Sequence, residues 1–244
     1  MKNNNELSLN DWTFADILPL KIRKNFIVIG DSVSADETYN NKDKTYAKIV
    51  ANLVGGKLIK NYAIGGTTVT YMYKGSNIEI EYGDNLTAID GVRVTKKAYI
   101  NKELNNIDFA FIAFGHNDQY FQPPLDDDKS FSIDNFDSAH SFKGSYRYIV
   151  NLLRLANPDI KIILLNCTYS EYSARSDRWE YHLSYLDYRN AITELANELN
   201  CKLIDPWDYM KKYFDAKDKK FYYHDDVHIS QNGHQKLAEY IMKC

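Results

Sequence analysis

The residues whose types and spacing could do chemistry stand near the two ends of the chain. Ser32 follows the apolar run 26–29 and Gly30, and Asp225 and His228 stand three residues apart within one turn. A serine hydroxyl is a poor nucleophile at neutral pH unless a neighbouring base accepts its proton during attack. An imidazole whose other nitrogen donates to a carboxylate can supply that base. The three residues therefore predict acyl transfer to a serine, provided that the fold brings them together.

Each of these motifs also has a plainer interpretation when it is taken alone. Gly-Asp-Ser is ordinary turn chemistry, Gly65-Gly66 can be a simple turn, and Asn117 can be a capping residue at a helix start. Asp226 competes with Asp225 as the acid that contacts His228. The residues alone leave both acids open, and our preference for Asp225 rests on the Asp-x-x-His motif of a known family that the sequence resembles.

Four segments, taken together and in order, resemble the conserved blocks of the SGNH, or GDSL-like, family of esterases and lipases. They read GDS at 30–32, NYAIGGTT at 61–68, FGHND at 114–118 and DDVH at 225–228. Any one block is a weak signal. Four blocks in the right order, with spacing that spans most of the chain, make the resemblance specific and imply a carboxylic ester hydrolase.

The resemblance implies a role for each matching residue. Ser32 is expected to be the nucleophile, His228 the base and Asp225 the acid that orients it, with an acyl-enzyme intermediate. The oxyanion that develops must meet donors already in place, and the resemblance assigns these to the backbone N–H groups of Ser32 and Gly66 and to the side-chain amide of Asn117. Glycine lets the backbone approach a substrate closely, and asparagine offers an uncharged NH₂ donor.

Some residues of the blocks are expected to act on the fold rather than on the substrate. Asp31, Asp118 and Asn61 are predicted to hold loops through hydrogen bonds to the backbone. Two positions depart from the family pattern: Val33 stands where the family name has Leu, and Ile229 follows the histidine where Pro is frequent. The second departure leaves the exact turn after the histidine open.

Alternating strand and helix patterns must position these residues. Short apolar runs predict buried strands, and apolar residues at helical spacing predict amphipathic helices between them. The predicted strands are 25–29, 57–61, 108–114, 161–165 and 202–204, and the predicted helices are 46–53, 145–156, 183–199 and 231–242. This alternation predicts an α/β protein with a parallel sheet and helices on both faces. The resemblance implies a flavodoxin-like three-layer α/β/α sandwich with strand order 2-1-3-4-5.

The chain is predicted to form one domain. Residues 1–24 are interpreted as a preamble whose aromatic side chains pack on a single hydrolase domain, residues 25–244. The looser segment 67–106 is predicted to contain an inserted hairpin or helix, because a structureless loop of that length is uncommon. In the implied strand order, Ser32 and Asn117 follow neighbouring strands at the switch point of the sheet, where ligands collect in such folds.

Composition limits the classes of partner. The 244 residues are 44% hydrophobic, enough for a sizeable core, and the net charge of −3 gives no basic footprint for nucleic acid. No apolar run approaches the roughly 20 residues of a membrane span, and residues 1–24 contain no apolar stretch typical of a secretory signal. We therefore expect no membrane partner and a cytoplasmic location, or a secreted one if an export signal was removed. The oligomeric state stays open.

Neither a metal nor a cofactor is expected. Cys167, Cys201 and Cys244 are odd in number and lack metal-ligand spacing, so they favour a reducing compartment over a disulfide framework. His224 and His228 stand four residues apart but read as loop, without the glutamate of a helical zinc motif. The acidic run 126–128 lacks the alternating ligands and closing glutamate of a calcium loop.

The sequence says least about which ester is cleaved. Tyr71, His116 and Trp179 are candidate substrate contacts, although aromatic side chains build cores as readily as sugar-binding surfaces. No insertion is apolar enough to suggest a lid over a long acyl chain, which favours a short acyl group, acetyl above all, on a polar carrier such as a carbohydrate. Two alternatives stay open: a lipase, lysophospholipase or thioesterase with the same triad, and a carbohydrate-binding protein without turnover.

Overall fold

Five short apolar runs form the strands of one parallel sheet in the computed structural model, which describes residues 12–14, 24–38, 44–70, 90–126, 131–133, 139–171 and 183–244. The strands are β1 (Asn25–Gly30), β2 (Lys57–Asn61), β3 (Phe109–Ala113), β4 (Lys161–Leu165) and β5 (Lys202–Ile204). All pair in parallel in the order β2-β1-β3-β4-β5. The predicted fold class and strand order are therefore confirmed.

Helices cover both faces of this sheet. They are α1 (Tyr46–Leu53), α2 (Gly91–Ile100), α3 (His116–Phe121), α4 (Phe142–Ala156), α5 (Tyr185–Glu198), α6 (Trp207–Phe214), α7 (Lys219–Tyr222) and α8 (Gln231–Ile241). One buried apolar cluster joins α2, α4 and α5 to the sheet, and a second joins α1, α6 and α8 to its other face. Strands buried on both sides explain the near-continuous apolar runs of the sequence.

Side-chain caps fix where several helices begin. Ser141 accepts a hydrogen bond from the Gly144 N–H, so α4 begins three residues before the predicted Ser145. Ser184 forms a capping box with Asp187, and α5 begins immediately after it. Ser230 caps α8 as its position in the sequence predicts. The boundaries therefore differ from the sequence prediction mainly where a serine cap overrides the apolar pattern.

The segment 67–106, which was predicted to contain an inserted hairpin or helix, contains α2. This helix begins after Asp90, which caps it. The strand-like stretch 78–82 of the sequence prediction lies outside the described residues. Helices α3, α6 and α7 were not predicted. Helix α3 follows β3, and helices α6 and α7 lie between β5 and α8.

The short segment 12–14 packs on the domain at its aromatic residues. The Trp12 ring meets Phe109 edge to face at 5.6 Å, and the Phe14 ring stacks on Phe111 at 6.3 Å. Phe14 is fully buried. The Lys202 ammonium donates to the Trp12 carbonyl at 3.1 Å. These contacts give the preamble an anchor on the sheet layer that faces α1, α6 and α8.

Candidate active site

The loop after β1 and the loop before α8 bring a serine and a histidine into contact. Ser32 Oγ lies 2.9 Å from His228 Nε2, although the two residues are 196 positions apart. His228 Nδ1 lies 2.7 Å from Asp225 Oδ2. The side chains of His228 and Asp225 remain 25% and 38% exposed, so a substrate can reach the line of hydrogen bonds. The arrangement has the geometry of an activated nucleophile with an oriented base.

Backbone hydrogen bonds fix the carboxylate that faces the imidazole. Asp225 Oδ1 accepts the N–H groups of Val227 and His228, both at 2.7 Å, and its Oδ2 faces the ring. Asp226 points elsewhere and pairs with the Lys219 ammonium at 2.7 Å. The two neighbouring acids are thereby separated in role: one contacts the histidine and the other forms a surface ion pair.

The histidine loop is closed by pairing between its two ends. Tyr223 and Ile229 form an isolated antiparallel bridge, and the Ser230 N–H donates to the Tyr222 carbonyl at 2.8 Å. Gly233, in the first turn of α8, packs so closely that an added Cβ would lie 2.2 Å from the Tyr222 oxygen. The position of His228 therefore depends on the contact between α8 and the residues just before the loop.

The three donors predicted for the oxyanion site all have an N–H hydrogen that is free to bind a ligand. The N–H groups of Ser32 and Gly66 donate no hydrogen bond within the part of the chain that the structure describes. Gly66 has a φ of +78°, in the left-handed region that favours glycine. Asn117 Nδ2 donates one of its two hydrogens to the Thr67 carbonyl at 2.8 Å, which leaves the second for a ligand.

A family of known proteins matches the sequence of this chain. The model of the GDSL-like lipase/acylhydrolase family matches residues 28–236, which is most of the chain. The chain belongs to the GDSL-like lipase/acylhydrolase family. Its membership indicates ester hydrolysis, and it confirms the resemblance seen in the sequence blocks. No curated protein matches the sequence.

Solved structures share the fold of this family member over nearly its whole length. A Lactobacillus plantarum protein aligns with a TM-score of 0.63 at 17% identity, covering 92% of this chain and 97% of that one. A GDSL-like lipase from Bacteroides ovatus gives 0.60 at 16%, covering 91% and 98%. A lipase/acylhydrolase from Enterococcus faecalis gives 0.53 at 18%, covering 90% and 94%. At these identities the likeness shows the fold alone.

Two buried carboxyl groups hold the loops of this GDSL-like site. Asp31 Oδ1 accepts the Val33 N–H at 3.0 Å, and Asp118 accepts the N–H groups of Val69 and Thr70 together with the Thr70 hydroxyl. Burial raises the pKa of both carboxyl groups to about 7, against the lowering effect of these hydrogen bonds. Both residues contact backbone rather than open space, as the sequence analysis expected.

Asn61 ties the second family block to the loop after the serine. Its Nδ2 donates to the Ser34 carbonyl and to Asp36, both at 2.8 Å, and its Oδ1 accepts the Ala63 N–H. The contact between Asn117 and the Thr67 carbonyl was not predicted. Thr67 lies within the family block at 61–68, but it contacts Asn117 through its backbone carbonyl. Every residue type has that carbonyl, so the sequence gives no indication of the contact.

His116 is buried, contrary to its interpretation as a substrate contact. The ring is 7% exposed and stacks on Tyr185 at 5.8 Å. Burial lowers its pKa to about 3, with a smaller effect of the charge on His228. It is a packing residue beneath the site because its ring faces Tyr185. The other two candidate contacts, Tyr71 and Trp179, lie outside the described residues.

The described residues include neither a cluster of metal ligands nor a membrane-spanning helix. Across the described ranges, no group of three or more His, Cys, Asp or Glu side chains could hold a metal ion. Cys167, Cys201 and Cys244 are free thiols. His234 is buried and accepts the Tyr46 N–H at Nδ1, as a packing residue would. Among the described helices, none is long and apolar enough to cross a membrane.

Proposed function

We propose that this protein is a serine esterase that removes a short acyl group, acetyl above all, from a polar carrier such as a carbohydrate. The observation that carries the proposal is the continuous line of hydrogen bonds from Ser32 Oγ through the His228 ring to Asp225. Family membership supplies the coarser activity, ester hydrolysis.

Acylation begins when Ser32 Oγ attacks the ester carbonyl and His228 Nε2 accepts the hydroxyl proton. The Nδ1–H bond to Asp225 keeps Nε2 unprotonated before attack and stabilises the imidazolium that forms. The tetrahedral oxyanion accepts hydrogen bonds from the N–H groups of Ser32 and Gly66 and from Asn117 Nδ2. Collapse of the intermediate breaks the ester C–O bond, and the Nε2 proton passes to the departing alkoxide.

Deacylation repeats the same steps with water as the nucleophile. His228 Nε2 takes a proton from water as its oxygen attacks the acyl-serine carbonyl. The same donors hold the second oxyanion, and the proton then returns to Ser32 Oγ as the carboxylic acid leaves. No step requires a metal or an organic cofactor, because base, nucleophile and oxyanion donors all come from the chain.

The composition of the insertions supports a short acyl group. No insertion in the sequence is apolar enough to form a flexible lid over a long hydrocarbon chain.

A panel of acyl esters tests the proposal. Wild-type protein is expected to hydrolyse p-nitrophenyl acetate and to lose rate as the acyl chain lengthens through butyrate, octanoate and palmitate. Ser32→Ala is expected to reduce hydrolysis to background while its circular dichroism and urea midpoint stay unchanged, because a loop hydroxyl contributes little to the core. EDTA is expected to leave the wild-type rate unchanged.

Each alternative function predicts a different outcome of that panel. A rate that rises with acyl length would favour a lipase, lysophospholipase or thioesterase. No hydrolysis of any ester, together with no labelling of folded protein by a fluorophosphonate, would overturn the esterase and favour a carbohydrate-binding protein. Equal hydrolysis by wild type and Ser32→Ala would remove the serine from the mechanism.

A further inference from the structure

A cavity of about 320 Å³ opens beside the candidate site, at the carboxyl end of the edge strand β2. Its walls come from four parts of the chain: residues 36–37 in the loop after β1, residues 60–64 at the end of β2, Val94, Lys97 and Ala98 of α2, and Glu103 just after that helix. Ligand pockets usually begin at about 300 Å³. The cavity is therefore large enough for a small organic group.

Its walls are continuous with the loop that carries Ser32 and with the loop that carries the predicted oxyanion donor Gly66. Asp36 lies four residues after Ser32, and Ile64 precedes the glycines of the oxyanion loop. A Cβ added at Gly65 would lie 3.8 Å from the Ser32 Cβ, so the second loop passes directly beside the nucleophile. Asn61 Nδ2 bonds to Asp36 and joins the two loops at the cavity wall.

One wall of the cavity is held rigid by its own polar contacts. The Glu103 carboxylate accepts hydrogen bonds from the Lys60 ammonium and the Tyr62 hydroxyl, both at 2.6 Å. These two bonds, Lys60 first, lower the pKa of Glu103 to about 2. Lys60 also lies over the Tyr62 ring, 4.7 Å from its centre. Polar groups on this side are therefore already partnered and act as a fixed wall.

The opposite rim of the cavity carries polar side chains that can still form hydrogen bonds with a ligand. The side chains of Glu37 and Lys97 make no hydrogen bond or ion pair with the described residues, and both residues are exposed. Asp36 is partly buried and has an acceptor oxygen beyond its bond to Asn61. Beneath them, the side chains of Val94 and Ala98 give a buried apolar floor. Acceptors and a donor thus surround an apolar surface.

We infer that this cavity is the subsite for the alcohol part of the ester, and that it takes a neutral sugar ring. Sugar hydroxyls both donate and accept hydrogen bonds, which suits two carboxylates and one ammonium, and the C–H face of the ring suits the apolar floor. An anionic carrier such as a phosphodiester would meet more negative than positive groups, because Lys60 is already paired with Glu103. The inference rests on the proposed esterase activity.

The test compares two acetyl esters that differ only in the alcohol. p-Nitrophenyl acetate presents no sugar, whereas a mono-O-acetylated methyl glucoside does. The double variant Glu37→Ala/Lys97→Ala removes the unpartnered rim groups. We expect its KM for the glucoside ester to rise about tenfold, since the variant loses hydrogen bonds to the sugar hydroxyls. Its kcat for that ester and both constants for p-nitrophenyl acetate are expected to stay within twofold of wild type.

Lys57→Ala/Asp159→Ala is the matched control. It removes the same two charges from exposed positions at the amino-terminal edge of the sheet, and it is expected to leave both substrates unaffected. A second measurement uses the Ser32→Ala protein, in which methyl glucoside is expected to broaden or shift amide resonances of residues 60–64 and 94–98.

Several results would overturn the subsite while leaving the esterase intact. These are an unchanged KM for the glucoside ester in the rim variant, an equal loss on both esters, or a wild-type preference for acetylcholine over the sugar ester. Failure of the esterase proposal looks different, because wild type would then not hydrolyse p-nitrophenyl acetate at all. In that case the binding measurement with methyl glucoside still decides whether the cavity takes a sugar.

Discussion

At the scale of single residues, neighbouring carboxylates acquire different environments within one turn. Asp225 has both oxygens engaged, one by two backbone N–H groups and the other by the His228 ring. Asp226 pairs with Lys219 at the surface, with 59% of its side chain exposed. Exposed ion pairs contribute little, so the two acids should differ sharply when each is replaced by its amide.

Asp225→Asn is expected to lower kcat on the order of 10³–10⁴-fold. The amide can keep Oδ1 as the acceptor for the backbone, but its NH₂ then faces Nδ1 of His228. That favours the tautomer with hydrogen on Nε2, which cannot accept the Ser32 proton. Asp226→Asn is the matched control and should stay within threefold of wild type. A larger loss in the control than in Asp225→Asn would reassign the acid.

Asn117→Ala tests the side-chain donor of the oxyanion site. Removing one such donor lowers kcat by about 10²–10³-fold, or roughly 2.7–4 kcal/mol. The Ser32 hydroxyl should keep its reactivity towards a small phosphonylating reagent better than towards esters, because the triad is untouched. A change in kcat below threefold would exclude Asn117 from this role, and its hydrogen bond to the Thr67 carbonyl would then be its contribution.

At the scale of elements, the contact between α8 and the histidine loop is the most sensitive to added volume. Gly233→Ala places a methyl group where the Tyr222 oxygen lies, so the first turn of α8 and the loop must separate. We expect a loss of about 1–3 kcal/mol in the free energy of unfolding and a fall in kcat, because His228 moves away from Ser32. Gln235→Ala, exposed on the same helix, is the control for both measurements.

An unchanged kcat in Gly233→Ala, measured with p-nitrophenyl acetate, would contradict this dependence. A change in stability without a change in kcat would show that the loop holds its histidine independently of α8.

Elements with a clear apolar pattern could be predicted from the sequence, and three helices without one could not. The runs that became β3 and β4 gave strand bounds close to the observed ones, because a parallel strand buried on both faces leaves a continuous apolar signal. Helix α3 has only six residues, too few for a periodic pattern. In α6 only Met210 and Phe214 are buried. A single apolar pair four residues apart is too weak a pattern to predict a helix.

The candidate site follows the same rule. Ser32, Asp225 and His228 were predicted because their residue types carry the chemistry, and Asn117 because the resemblance to the family assigns it a role. The Thr67 carbonyl and the cavity beside β2 were not, because a backbone oxygen has no residue signature and the cavity exists only where β2, α2 and the loop after β1 come together. Properties made by distant segments are visible only after folding.

At the scale of the whole molecule, buried titratable groups oppose one another as pH changes. Burial lowers the pKa of His116 and His234 to about 3, so the unfolded chain binds protons that the folded chain does not. The two histidines therefore lower the free energy of unfolding progressively as the pH falls below 6.5. Asp31 and Asp118, with pKa values raised to about 7, act in the other direction: their contribution is lost as the pH rises from about 4 towards 7.

His234→Asn is expected to separate these effects. Asparagine can accept the Tyr46 N–H in place of Nδ1 but does not titrate. Between pH 7.5 and pH 5, the free energy of unfolding of the variant should gain about 2 kcal/mol relative to wild type, measured by urea titration at both pH values. Gln235→Ala, at an exposed position that does not titrate, should show no such gain. Equal pH slopes in wild type and His234→Asn would contradict a buried neutral ring.

The 196 positions between Ser32 and His228 have a consequence for biosynthesis. A polypeptide leaving the ribosome presents its serine long before the imidazole has been made, whereas Asp225 and His228 emerge together. Contacts between remote segments form late because the intervening chain must first be ordered. On the proposed mechanism, a nascent chain therefore carries an ordinary alcohol at Ser32 until α8 has been made and the histidine loop has folded against it.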